Sequence, residues 1–257
     1  METVADVLAG RNPLSGSSPE TPRQTLDEYG LGGVNCPLCG NTGIITEKLG
    51  VFNVRTRECP CMKRRRSLRR IQKSGLSDML SRCTFHSFET PDAGRRLLKE
   101  KAMEYADGAG QWWFLTGRSG SGKTHLCTAI CGALIERGED VRYIVWKDFA
   151  QKAKGSANRR EEYAALVEPL KTVDVLYLDD FFKVKDNDPA LITPGDVNLA
   201  FEVLNARYLD ASKRTLLSAE MDAETILQID EALGGRIVER AGPYYLESPA
   251  ENWRLRG

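Results

Sequence analysis

The sequence predicts an α/β protein built on a mostly parallel sheet with helices on both faces. Three observations carry that expectation. From about Thr84 onward, short β-favouring runs alternate with segments of helical periodicity. A glycine-rich loop, Gly117-Arg118-Ser119-Gly120-Ser121-Gly122-Lys123-Thr124, joins one such strand to one such helix. A third run, Val175-Leu176-Tyr177-Leu178, ends in two carboxylates, Asp179-Asp180.

The elements follow in order. Strands are expected at Trp112–Thr116, Val141–Val145, Val175–Leu178 and Arg214–Ser218, with a weaker fifth at Tyr244–Glu247. Lys123–Glu136 carries Leu126, Ile130, Ala133 and Leu134 at the spacing of a buried helix face. Val197–Leu209 repeats it with Val197, Ala200, Phe201, Leu204 and Tyr208. Ahead of this domain, assigned to 80–257, residues 1–30 read as a flexible segment. Val4–Leu8 is long enough only for a marginal helical turn or two, and 10–25 is broken by Pro, Ser and Gly. A small cysteine-rich module and a basic helix from Met62 to Lys73 occupy 31–75.

Composition narrows the function classes. Lys plus Arg and Asp plus Glu each total 36, but nine basic residues lie between Arg55 and Lys73 against the single acid Glu58. That segment suits either nucleic-acid phosphates or an acidic protein partner. No apolar run approaches the ~20 residues that span a bilayer. The N-terminus lacks a basic start followed by an apolar stretch, so the expected location is cytoplasmic, with no membrane partner. Seven cysteines in a reducing compartment point to metal or catalytic chemistry rather than disulfides.

The loop matches G-x-x-x-x-G-K-[ST] in the required strand–loop–helix context. Glycines let the backbone close around an anion, and successive N–H groups at a helix N-terminus supply fixed positive potential. Gly117, Arg118, Ser119, Gly120, Ser121, Gly122, Lys123, Thr124 and His125 are therefore the candidate ATP-binding residues. Lys123 reaches the β- and γ-phosphates, and the Thr124 hydroxyl ligates Mg²⁺. Asp179, at the C-terminal end of its strand, holds Mg²⁺ through water, while Asp180 orients or deprotonates the attacking water.

Cys36-Pro37-Leu38-Cys39 and Cys59-Pro60-Cys61 form a four-thiolate pattern. Four thiolates close a tetrahedral sphere and leave no position for a catalytic water, so Zn²⁺ in a structural role is expected, with buried free thiols or an iron–sulfur cluster as the alternatives. Cys83 beside His86 is an alternative ligand source, whereas Cys127 and Cys131 read as small apolar core residues.

The loop, the paired acids, Arg207-Tyr208 and Leu233-Gly234-Gly235-Arg236-Ile237-Val238-Glu239-Arg240 together resemble the AAA+ ATPases of the DnaC/DnaI helicase-loader type over about 80–250. The front module resembles the zinc-binding domain of DnaI-like loaders. The resemblance implies a five-stranded parallel sheet in the order 5-1-4-3-2 and a nucleotide site completed by a neighbouring subunit, hence self-association through the ATP sites. Arg236 matches the arginine-finger position, with Arg240 one turn later as a second candidate catalytic arginine beside Lys123, Asp179 and Asp180. Ser218 falls at the sensor-1 segment, where this chain has Ser218-Ala219-Glu220 instead of a polar residue followed by Asn. The 17 residues after Arg240 are too few for the helical lid of many AAA+ proteins. Asp180 stands where many relatives have Glu, which implies slow hydrolysis. The implied partners are a DnaB-type replicative helicase and single-stranded DNA, with Lys147, Lys152 and Lys154 as DNA-facing candidates. An IstB-like transposition helper, a small-molecule phosphotransferase and a non-hydrolysing nucleotide-binding adaptor are the competing readings.

Overall fold

The structure, a computed structural model, describes residues 35–50, 53–74 and 77–248. The helical turns expected at Val4–Leu8, the flexible segment 1–30 and the C-terminal residues 249–257 lie outside the described residues.

The first described element is an antiparallel hairpin, β1 (Ile44–Lys48) and β2 (Val54–Glu58), with Ile44 opposite Glu58. The basic helix α1 (Cys61–Ser74) follows, then α2 (Ser77–Arg82) and α3 (Ala93–Glu104). The α/β core comprises β3 (Trp112–Thr116), α4 (Lys123–Glu136), β4 (Val141–Val145), α5 (Trp146–Gly155), α6 (Arg160–Thr172), β5 (Val175–Phe181), α7 (Pro194–Tyr208), β6 (Arg214–Ala219), α8 (Ala223–Ile229), α9 (Glu231–Ala241) and β7 (Tyr245–Glu247). The five core strands are all parallel and run β4-β5-β6-β3-β7. Counted within the domain and read from the β7 edge, this is the expected order 5-1-4-3-2.

Burial on both faces explains why these strands read as continuous apolar runs rather than alternating ones. Every residue of β3 is buried. Trp112, Phe114, Leu176 and Leu178 join the core beneath α5, α6, α7 and α9. Their neighbours Trp113, Leu115, Val175 and Tyr177 join the opposite core with α3 and α4. Cys127 and Cys131 are fully buried in that second core.

Most boundaries lie within a residue of the sequence expectation, and two differ by more. Helix α7 starts at Pro194, three residues before Val197, because Thr193 and Asp196 form a capping box around an N-terminal proline. Strand β5 runs on to Phe181 and slips register against β6 between Leu178 and Phe181, which takes both acids out of the ladder with β6, while Asp179 stays paired with Val145 of β4.

Arg207, part of the family signature, is a structural residue. It is fully buried and donates to the carbonyls of Leu170 (2.8 Å) and Val173 (2.9 Å) and to Thr215 Oγ1 (2.9 Å), tying the end of α6 to the start of β6.

Helix α1 meets acids of its own chain. Arg70 pairs with Asp140 at 2.8 Å and Lys63 with Asp174 at 2.8 Å. Buried Ser67 accepts from the Val141 amide at 2.7 Å and Leu68 enters the second core. This part of the basic segment therefore faces acids of its own chain, at the β4 edge of the sheet.

Candidate nucleotide site and cysteine centre

The glycine-rich loop turns from β3 into α4 through left-handed glycines. Gly117 has φ +139°, and a Cβ there would lie 3.0 Å from the Ser248 carbonyl oxygen. Gly122, at φ +95°, would bring a Cβ within 3.2 Å of the Phe88 ring and 3.3 Å of the Arg95 guanidinium. The loop is therefore clamped from two sides. Ser248 donates to Ser121 O at 2.9 Å, and Arg95, itself buried, donates to the same carbonyl at 3.1 Å.

Lys123 is buried at the head of α4, and its ammonium donates to the Gly117 (2.6 Å) and Arg118 (2.9 Å) carbonyls of its own loop. Burial pulls its pKa below the usual lysine value, which leaves a desolvated cation that an anion would satisfy. Beside it opens a cavity of about 320 Å³ lined by Ser119, Gly120, Lys123, Thr124, His125, Asp180, Lys183 and Glu220, with Met79 and Cys83 also in its wall. His125 is fixed by Ser87 Oγ (3.2 Å) and Thr84 O (3.1 Å), and burial lowers its pKa.

Asp179 sits in a cage of hydroxyls. Its carboxylate accepts from Thr124 Oγ1 (3.2 Å), Tyr143 (3.0 Å), Tyr177 (2.7 Å) and Ser218 Oγ (2.5 Å). Burial raises both tyrosine pKa values, so both remain donors. The carboxylate is thus oriented next to the Thr124 hydroxyl, the pairing that a Mg²⁺ site needs. Ser218 serves this acid. Asp180 adopts a left-handed backbone, φ +52°, and pairs with Lys183 at 3.0 Å. Lys183 also pairs with Glu220 at 3.0 Å, and Glu220 accepts from Asn187 at 3.0 Å. Burial raises the Glu220 pKa, but the Asn187 and Lys183 hydrogen bonds outweigh it and hold the carboxyl below its ordinary range.

Arg236 and Arg240 lie on α9, away from this cavity. Arg236 donates to Asn205 Oδ1 (3.0 Å) and Ala232 O (2.7 Å) and lies over the Phe201 and Tyr208 rings. Arg240 binds Gln111 Oε1 at 2.7 Å and the Tyr208 carbonyl. On α5, Lys147 and Lys152 are exposed, while Lys154 pairs with Asp196 at 2.6 Å.

The four cysteines converge from both sides of the hairpin. Cys36 and Cys59 sulfurs are 3.7 Å apart, as are those of Cys39 and Cys61, and all four lie within 4.8 Å of one another. A tetrahedral ion with ~2.3 Å zinc–sulfur bonds holds its sulfurs about 3.8 Å apart, so the donor set fits Zn²⁺. The turn is held by Cys59 N donating to Gly43 O (2.8 Å) and Cys36 N donating to Asn41 Oδ1 (2.8 Å). Cys83 instead lines the nucleotide cavity and does not belong to this cluster.

Sequence reasoning missed Tyr143, Tyr177, Lys183, Arg95 and Ser248. Only Lys183, three residues after Asp180, carried a local signal. The others reach the site through sheet register or from distant segments.

Phosphate loop, caged acid and strand order together define a P-loop AAA+ nucleotide-binding domain. The bacterial DnaA ATPase-domain family matches residues 80–240, and the chain belongs to that family. The chain is also similar to replicative helicase loaders: DnaC of Escherichia coli (strain K12) is 30% identical over 128 residues, covering 48% of this chain and 51% of DnaC. The uncharacterized protein YqaM of Bacillus subtilis (strain 168) is 33% identical over 200 residues, 74% of this chain and 62% of that protein. The chain thus spans between half and two thirds of these relatives. A structure of the replication initiator DnaA bound to AMPPCP and single-stranded DNA superposes with a TM-score of 0.53 at 25% identity, covering 66% of this chain and 50% of that one. Among the described residues, no helix is long and apolar enough to cross a membrane.

Proposed function

We propose that the protein is an ATP-dependent switch that binds a DnaB-type replicative helicase and places it on single-stranded DNA. The observation that carries this is a phosphate site complete in its loop, lysine and Mg²⁺-side acid, whose candidate finger arginines sit on another face of the same chain. Such a site needs a neighbouring copy, and a site that works only on assembly suits a switch.

Thr124 and Asp179 would hold Mg²⁺, and the ion would neutralise charge on the β- and γ-phosphates. Lys123 would leave the Gly117 and Arg118 carbonyls for the phosphates. Asp180, once released from Lys183, would orient the attacking water, and Arg236 of a neighbouring copy would stabilise the charge developing on the transferred phosphoryl group. Cys36, Cys39, Cys59 and Cys61 would hold a structural zinc. Around that centre Leu38, Ile44, Leu49 and Val54 are exposed, by 53–70%, which supports a protein-binding face for the helicase. Lys147 and Lys152 are the candidates for DNA phosphates. The similarity to DnaC, named for helicase loading, and to DnaA bound to single-stranded DNA supports both partners.

Affinity capture with a purified DnaB-type helicase from the same host tests this reading. Retention of the helicase is expected with ATP, and no retention under any nucleotide condition would refute it. A second reading, an adaptor that binds nucleotide without turnover, draws support from the Asp180–Lys183 pair, and absence of phosphate release in the helicase complex would favour it.

A further inference from the structure

Between Asp180 and Glu220 stands a lysine that the phosphate loop and the Mg²⁺-side acid do not need. Lys183 lies in the wall of the nucleotide cavity, on the same side as both acids, and is 3.0 Å from each. Its position is built at a cost. Asp180 and Phe182 both hold left-handed backbone, φ +52° and +55°, a conformation unfavourable to residues with a Cβ. The turn closes through the Lys183 amide donating to Asp180 O at 3.1 Å. Phe182 locks it from below, fully buried and stacked on Phe181 with ring centroids 4.2 Å apart. Glu220 is fixed in turn by Asn187. The segment that ends β6 reads Ser218-Ala219-Glu220, so it turns an acid toward the cavity.

We propose that Lys183 is the γ-phosphate contact of this site, a cation held in reserve by Asp180 and Glu220 and transferred to the terminal phosphate of ATP. The inference rests on the ATP-binding reading above. An acid such as Glu220 facing the terminal phosphate would repel it, and the lysine between them reverses that sign. A charged donor to phosphate is also stronger than a neutral one. Transfer of Lys183 frees Asp180 at the moment a γ-phosphate is present, so the same movement reads the nucleotide and arms the acid. ADP, which lacks the γ-phosphate, leaves the lysine on its two carboxylates.

The test is equilibrium binding of ADP and of a non-hydrolysable ATP analogue to the full chain, wild type against Lys183→Met and Glu220→Gln. Lys183→Met should lower the preference for the ATP analogue over ADP by about tenfold or more, the scale of a lost charge-assisted contact, with ADP affinity retained. Glu220→Gln should move the preference the other way, since it removes a competitor for the lysine. A purely structural pair would instead weaken both nucleotides in both variants. An unchanged preference in Lys183→Met, with wild-type protein binding both nucleotides, would overturn the proposal and leave the ATP reading intact. Failure of the wild type to bind either nucleotide would overturn the ATP reading itself.

Discussion

Replacing Cys59 by serine should empty the cysteine centre and melt the hairpin while sparing the nucleotide site. Cys59 is 1% exposed and its sulfur lies 3.7 Å from that of Cys36. Serine removes one of four thiolates from a set that matches a closed tetrahedral zinc site. The hairpin has little else to hold it: every residue of β2 is exposed, and β1 buries none of its residues fully. An isolated two-stranded hairpin is at best marginal in water. Structural zinc contributes about 10–16 kcal/mol of binding free energy in small zinc domains, far more than the contacts visible here. Helix α1 should survive, because Leu68, Ser67 and the Arg70–Asp140 pair anchor it to the sheet domain. The assay is elemental analysis combined with amide hydrogen exchange. One zinc per wild-type chain is expected, none in Cys59→Ser, with protection lost over 36–58, kept from 63 onward, and nucleotide affinity unchanged. Full zinc content in the variant, or undiminished hairpin protection after metal loss, would refute the reasoning.

Two further predictions concern the phosphate site. Lys123→Ala should weaken ATP binding at least about tenfold, since hydrogen bonds to charged groups are worth about 1.5–3 kcal/mol, without lowering thermal stability appreciably; isothermal titration and a melting curve check both halves. Arg236→Ala should bind ATP normally and hydrolyse it poorly, and mixing it with Lys123→Ala protein should restore part of the activity, because a finger in trans is worth about 10³-fold or more. No recovery in a mixture shown by sedimentation to co-assemble would mean that Arg236 acts only on its own subunit, where it already caps Ala232 and packs on Phe201.

Periodicity made most of the fold legible. Trp112–Thr116, Val141–Val145 and Lys123–Glu136 form elements with the boundaries the sequence suggested, because buried strands and a buried helix leave unmistakable apolar runs bounded by Gly or charged residues. The start of α7 was encoded instead in a capping box, which apolar spacing does not register. Within the site, the loop and both acids were readable because their chemistry is local. The cage around Asp179 was not, since Tyr143, Tyr177 and Ser218 meet only when three strands align. Arg207, read in the sequence only as part of a family resemblance, is a buried staple for backbone carbonyls, a role no local pattern announces. The basic run of α1 suited two kinds of partner in the sequence, and only the fold brings Asp140 and Asp174 to it from far along the chain.

The most direct measurement is helicase loading itself: a DnaB-type helicase, a closed single-stranded circle carrying an annealed oligonucleotide, and this protein with or without ATP. Displacement of the oligonucleotide should require the protein, should require that it can bind ATP, and should therefore fail with Lys123→Ala. Equal displacement with and without the wild-type protein, at helicase concentrations where unaided loading is slow, would contradict the loader assignment.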